Sequence, residues 1–333
     1  MTRGRQERRG NRLIKGLVSI VTPCYNGEGF LARFLNSILA QTYPHVELFL
    51  INDGSTDKTE EIALGYRDAF AQRGYAYTYI YQENGGQASA VNRGLGLFEG
   101  EYLTWPDSDD TLTPDALAVK VAFMDARPEY GGCVCGVRSL DDKTDEVLEE
   151  FMRYEPDEPP QTLFWDLFWE RDVVWCPGAY FIRSEAFFAV NPTRHIFESR
   201  EGQNYQILLP MLYHYHFGYI REFLYHYYFR WESHSNIQRG PMELYTRKTN
   251  TQILYTETIN AMPCPLDERA LIEREIARKF LPMRLRFAAK ALRLDLVRAV
   301  NGEAKRHGIS LTVRGKAFTL GVLAAAYGAV RRK

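Results

Sequence analysis

Four apolar runs of strand length, each closing in a polar cluster and separated by stretches with helical spacing, constrain this chain more than any other feature. Residues 17–22 are short, apolar and β-branched, and Pro23 closes them as a buried strand is closed. Phe30, Leu31, Phe34, Leu35, Ile38 and Leu39 then recur with a helical period between Glu28 and Gln41. Residues 46–51 and 75–82 supply two further strands. Between them a helix runs through about residue 72, opened by Asp57 and Glu60 at capping-box spacing. A helix over 87–98 and a strand over 102–105 follow. A last helix has Thr113 as N-cap and Pro114 as its first residue. This β-α-β-α-β-α-β order predicts an α/β fold, a mostly parallel sheet with helices on both faces.

Ligands on such sheets gather beyond the carboxyl ends of the strands, and the polar clusters fall there. Pro23-Cys-Tyr-Asn-Gly-Glu28 follows the first strand, Asn52-Asp-Gly-Ser-Thr-Asp57 the second, Glu83-Asn-Gly-Gly-Gln87 the third and Asp107-Ser-Asp-Asp110 the fourth. One edge of the sheet is expected to carry an acidic, amide-rich rim. Beyond residue 140 the pattern loosens. It reads as an exposed acidic excursion at 141–160, a strand or hairpin at 173–183, a helix at 203–216, an aromatic strand at 219–230 and helices from Pro241 onward.

Charge is unevenly spread. The 333 residues hold 41 basic and 42 acidic side chains, yet residues 1–16 carry six Lys/Arg and one Glu, and residues 276–333 carry fourteen Lys/Arg and two acids. An acidic body therefore lies between two basic ends. A 45% hydrophobic content excludes global disorder. The Arg-rich N-terminus lacks the apolar core of a secretory signal, and the five scattered cysteines suit a reducing interior, so a cytoplasmic location is expected. Cys133 and Cys135 read as buried structural thiols. The apolar run at 317–330 is too short to span a bilayer.

Asp107, Asp109 and Asp110 repel one another if left unpaired, and Mg²⁺ or Mn²⁺ would relieve them with help from phosphate oxygens. An acidic turn capping the next helix is the plainer alternative. Asp53 can accept from a nucleobase N–H while Tyr25 offers a ring, or it can close an ordinary Asx turn. Asn84, Gln87 and Asn92 are amides that suit sugar or base edges, or simple loop polarity.

What separates these readings is their order. The runs VSIVTPCYNGEGFLARFLNSILAQTYPHVELFLINDGSTDKT and ENGGQASAVNRGLGLFEGEYLTWPDSDDTLTPDAL resemble the family 2 glycosyltransferases with the GT-A fold, a Rossmann-like sheet. The resemblance is close over about residues 17–125 and looser over 170–240. It implies inverting transfer of a sugar from a nucleotide donor, usually a UDP-sugar, to an acceptor hydroxyl. Pro23, Tyr25 and Asp53 would lie around base and ribose. Asn26, Asn84, Gln87, Asn92 and Ser108 would add donor contacts. Asp107 and Asp109 would form the DXD pair that holds Mn²⁺ or Mg²⁺ and the diphosphate, with His234 as a further ligand.

Inverting chemistry also needs a general base. Related enzymes carry it in a Gly-Glu-Asp-like segment, but here Gln203 and Asn204 follow Gly202. Glu198 and Glu201 are the nearest carboxylates and the expected bases, with Asn204 binding the acceptor or orienting the base. The domain reading is a basic arm at 1–16, a GT-A domain at 17–240 and a basic helical region at 241–333. Within the GT-A domain, 17–125 would bind the nucleotide sugar and 126–240 the acceptor. In the helical region Arg278, Lys279, Arg284, Arg286, Lys290, Arg293 and Arg298 interleave with Leu281, Leu285, Leu292 and Leu296. That pattern suits an anionic membrane surface on the inner face of the cell membrane, or packing within the protein. No nucleic-acid motif accompanies the charge. The expected activity is synthesis of a surface polysaccharide or glycolipid on a glycan or lipid-linked acceptor. A nucleotide-sugar- or glycan-binding pseudoenzyme is the alternative that Gln203 and Asn204 motivate. A dinucleotide-dependent dehydrogenase is excluded, because GxGxxG is absent after the first strand.

Overall fold

Strands β1 (Ile14–Cys24) and β2 (Val46–Asp53) are apolar almost without alternation because both faces of the sheet are covered, and every residue of β2 is buried. The computed structural model describes residues 13–153, 162–230 and 239–311. Strands β3 (Ala76–Gln82) and β4 (Gly100–Thr104) complete a parallel half in the order β3-β2-β1-β4. Helices α1 (Leu31–Leu39), α2 (Thr59–Gly65), α3 (Arg67–Arg73) and α4 (Gln87–Leu95) make the crossovers.

Two expectations change here. The helix expected through residue 72 is two short helices that break at Tyr66, whose hydroxyl donates to Asn36 Oδ1 on α1. Asp57 does not form a capping box with Glu60. Its carboxylate accepts from the backbone N–H of Glu28 at 2.9 Å and of Thr59 at 3.0 Å, joining the first and second rim turns. The helix expected to start at Pro114 instead begins two residues later, as α5 (Ala116–Asp125). Before it, β5 (Thr111–Leu112) pairs with a later strand, and the Thr113 N–H is taken by Leu224 O.

The rest of the sheet is mixed. It comprises β6 (Gly132–Asp141), β7 (Val147–Phe151), β8 (Tyr180–Arg183) and β9 (Phe217–Phe229), giving the order β3-β2-β1-β4-β8-β6-β9-β5 with β7 on β6. Part of the expected acidic excursion is thus the β6–β7 hairpin, while 154–161 lies outside the described residues. Strand β8 runs antiparallel to β4 and β6, whereas β6 and β9 are parallel. Helices α6 (Thr162–Trp169), α7 (Ser184–Val190) and α8 (Gln203–His214) complete this half. Cys133 and Cys135 are buried and unbridged, as expected of structural thiols.

The chain divides into two compact units, residues 1–198 with 207–230, and 199–206 with 231–333. The second contains α9 (Pro241–Ala261), α10 (Leu266–Lys290) and α11 (Leu294–Arg306). Its core gathers Tyr245, Ala277, Leu281, Leu285, Ala288, Val300 and Ala304. The leucine face of α10 is therefore covered by α9 and α11. Lys279 and Arg284 are buried with it: Lys279 Nζ donates to Tyr255 Oη at 3.0 Å, and Arg284 pairs with Glu303 at 2.9 Å. Arg286, Lys290, Arg293 and Arg298 are exposed. Among the described residues no helix is long and apolar enough to cross a membrane. The run at 317–330 lies outside them.

Candidate active site

The rim is a set of turns stitched to one another. Asn26, held at a left-handed φ of 50°, donates its backbone N–H to Ser55 Oγ and accepts from Thr56 N–H, each at 2.9 Å. Pro23, within β1, is buried opposite Ile51, and Tyr25 just beyond is 45% exposed and available to a planar ligand. Asp53 is buried and faces the third turn. Its carboxylate accepts from Gln82 Nε2 at 2.7 Å and from the Gly85 and Gly86 N–H groups at 2.9 Å, while Asn84 Nδ2 donates to its carbonyl. Gly54 permits this approach: a Cβ there would lie 2.6 Å from Asn84 N.

The fourth cluster closes the rim. Gln87, the first residue of α4, donates from Nε2 to Asp107 Oδ1 at 2.7 Å. Ser108 is buried and hydrogen-bonds Cys24, whose thiol burial pushes up to about 12. Asp109 pairs with Arg230, and Arg33 Nη2 donates to its carbonyl at 3.2 Å. Arg33 is itself fixed by Asp142 at 2.7 Å and by the ring of Tyr228, 3.4 Å away. Asp110 points inward, accepting from Tyr225 Oη at 2.8 Å and Tyr228 N–H at 3.1 Å. These contacts follow from β5, whose pairing with His226 and Tyr225 carries the end of β9 along the acidic loop. Gly178 keeps that corner compact, since a Cβ there would meet Tyr225 at 2.1 Å.

Three acids in so small a space are electrostatically costly. Burial, then the charge of Asp109, raises Asp107 to about 7 against the pull of the Gln87 hydrogen bond. Asp109 is raised by burial despite Arg230, and Asp110 is raised strongly by burial and by both neighbours. Among the described residues Asp107 faces a neutral amide rather than a cation. This donor set suits a hard divalent ion: two neighbouring carboxylates that disfavour each other's charge, with oxygen ligands only. Among the described residues no three His, Cys, Asp or Glu converge as a metal cage, so solvent and ligand oxygens would complete the shell. His234 lies outside the described residues.

The other expected site residues are held elsewhere. Asn92 accepts from Ile196 N–H at 2.8 Å and donates to Ile196 O at 2.9 Å, with His195 Nε2 at 3.0 Å. It fastens the segment before Glu198. Glu198 is more than half exposed and 3.6 Å from His195 Nε2. Glu201, Gln203 and Asn204 belong to the helical unit. There Arg247 Nε donates to Glu201 Oε2 at 3.1 Å and the Tyr205 ring lies 5.2 Å from that of Tyr255. Arg33 and the inward role of Asp110 are what the sequence reading missed.

The sequence model of glycosyl transferase family 2 matches residues 19–228. The chain belongs to that family. Relatives of this family 2 glycosyltransferase include an uncharacterized glycosyltransferase of Rickettsia typhi, 39% identical over 129 residues, which are 38% of each chain. Glycosyltransferase GlyA of Streptococcus pneumoniae is 39% identical over 103 residues, 31% of this chain and 14% of that one. The matches thus span well under half the length of these relatives. Among solved structures, S. aureus TarS 1–349 in complex with UDP-GlcNAc superposes with a TM-score of 0.61 at 17% identity, covering 89% of this chain and 93% of that one. A mannosyltransferase from Pyrobaculum calidifontis in complex with GDP-Man and Mn²⁺ gives 0.52 at 16%, covering 94% and 80%. The fold is GT-A, as the resemblance implied.

Proposed function

We propose that this family 2 glycosyltransferase is an inverting, metal-dependent enzyme that moves a sugar from a nucleotide donor, a UDP-sugar, to a hydroxyl of a glycan or lipid-linked acceptor in surface polysaccharide or glycolipid synthesis. The observation that carries this is the Asp107–Asp109 corner: two mutually destabilised carboxylates at the carboxyl end of a parallel sheet, flanked by Arg230 and Arg33. Asp107 and Asp109 would hold Mn²⁺ or Mg²⁺. When bound, that ion offsets charge on a diphosphate leaving group. Tyr25 and the Asp53 turn lie on the same rim and are assigned to base and ribose. Arg230 and Arg33 add fixed positive charge where the diphosphate oxygens sit. TarS was solved with UDP-GlcNAc, which supports a uridine donor for this chain.

The base is assigned to the 198–201 segment. A carboxylate must reach the acceptor proton, and Glu198 and Glu201 are the two it offers. A coupled assay of UDP release, run over UDP-, GDP- and dTDP-sugars with and without Mn²⁺, tests the whole reading. Metal-dependent release with one donor supports it. Nucleotide binding without release in any combination favours the pseudoenzyme. Membrane contact is assigned to the exposed Arg286, Lys290 and Arg298 and is electrostatic, because the apolar face of α10 is already buried.

A further inference from the structure

We propose that Trp175, braced by Phe151 and Tyr227, is a carbohydrate platform that receives the acceptor sugar; this rests on the donor-site reading above. Of the aromatic residues around the second half of the sheet, Tyr180 and Tyr225 are fully buried and serve the core. Trp175 is different. It is 46% exposed, the only exposed tryptophan among the described residues. Single exposed aromatic residues are ordinary on protein surfaces, so what distinguishes Trp175 is how it is held.

Its position is built rather than incidental. The Tyr227 ring lies 4.6 Å away at 79° and the Phe151 ring 6.2 Å away at 71°, two edgewise contacts that fix the plane of the indole. Phe151 pairs with Val137 and Tyr227 with Ser139, and Val137 and Ser139 share a face of β6, so both braces rise from one side of the sheet. The loop leading to Trp175 holds two non-glycine residues in the left-handed region, Glu170 at φ 55° and Asp172 at φ 44°. Arg153 fastens it, donating to Asp172 O at 3.0 Å and pairing with Asp166 at 2.6 Å. Backbone strain of this kind persists where surrounding contacts enforce it, and it gathers at ligand sites.

Proximity names the occupant. Tyr227 shares a face of β9 with Tyr225, whose hydroxyl donates to Asp110 at 2.8 Å. The platform therefore borders the acidic corner. A pyranose fits such a border, with C–H groups for the indole face and hydroxyls for the phenol and carboxylates. An apolar protein segment would have to desolvate those polar groups without partners.

The test uses the full chain, with Trp175→Ala and Trp175→Phe, on an array of microbial glycans with and without UDP and Mn²⁺. Thermal stabilisation by UDP and Mn²⁺ is measured on all three. The wild type and Trp175→Phe are expected to retain the same glycans, Trp175→Ala to lose at least about tenfold in signal, and all three to respond equally to UDP and Mn²⁺. A wild type that retains no glycan, or a Trp175→Ala variant with the wild-type profile, overturns the platform. A wild type that binds glycans through Trp175 yet ignores UDP and Mn²⁺ refutes the donor-site reading and leaves the platform standing.

Discussion

Replacing Asp107 by Asn should stabilise the metal-free protein at neutral pH while abolishing its response to metal and nucleotide. Asp107 is raised from 3.8 to about 7, chiefly by burial and then by Asp109. The folded state therefore keeps a proton that the unfolded chain has lost between roughly pH 4 and 7. As pH rises through that window, folding must take up a proton that becomes ever scarcer, and stability falls. Below about pH 4 both states are protonated and the cost vanishes. Taken whole, a shift of this size corresponds to about 4 kcal/mol. The carboxylate retains some solvent contact, which screens its charge, so about 1–2 kcal/mol is the expected cost. Asparagine removes the charge and still accepts from Gln87. Urea denaturation in EDTA at pH 4.5 and pH 8 reads the effect. The variant should exceed the wild type only slightly at the lower pH and by about 1–2 kcal/mol at the higher. With Mn²⁺ and UDP at pH 8 the order should reverse, because only the wild type gains from binding. A variant no more stable than the wild type at pH 8 would refute the claim that this corner is electrostatically strained.

Asp110 should behave differently from its neighbours. Asp110→Ala leaves the Tyr228 N–H and the Tyr225 hydroxyl without their acceptor and should cost about 2–3 kcal/mol by urea denaturation, whereas Asp110→Asn should cost less than half as much. Of Glu198→Gln and Glu201→Gln, one should abolish sugar transfer yet keep the thermal shift with UDP and Mn²⁺; full turnover in both would remove the base from this segment. If Glu201 is that base, Arg247→Ala should lower kcat about tenfold with the donor KM unchanged, and Arg247→Lys should recover part of it. Charge reversal of Arg286, Lys290 and Arg298 together should abolish flotation of the full chain with anionic liposomes at low salt. Equal flotation of the variant and the wild type counts against electrostatic attachment.

The parallel half of the sheet was legible because buried parallel strands are short apolar runs bounded by polar turns, a local pattern. The rim clusters at residues 23–28, 52–57, 83–87 and 107–110 could be placed on one edge for the same reason. The antiparallel half was less legible. Strand β5 is two residues long and its partner lies more than a hundred positions away, so nothing near Thr111 announces it. Without β5, the three acids of the Asp107–Asp110 turn look alike, and the inward turn of Asp110 cannot be anticipated. Asn92 and Arg33 illustrate the same limit, since their partners Ile196 and Asp142 are equally remote in sequence. For two of the basic residues the packing alternative was legible. Lys279 lies three and seven residues from Ile276 and Ile272, and Arg284 three and seven from Leu281 and Ala277, so helical periodicity sets both on apolar faces.

The grouping of residues 199–206 with α9 and α10 bears on how such enzymes can be recombined. Arg247 holds Glu201, and Tyr255 and Lys279 pack around Tyr205, so this octapeptide inherits its shape from residues well past the end of the family match. A chimera that grafts only the matched portion onto a foreign tail would strip the octapeptide of its scaffold. Exchanging this segment between relatives therefore calls for moving the octapeptide and the helices together, as one cassette.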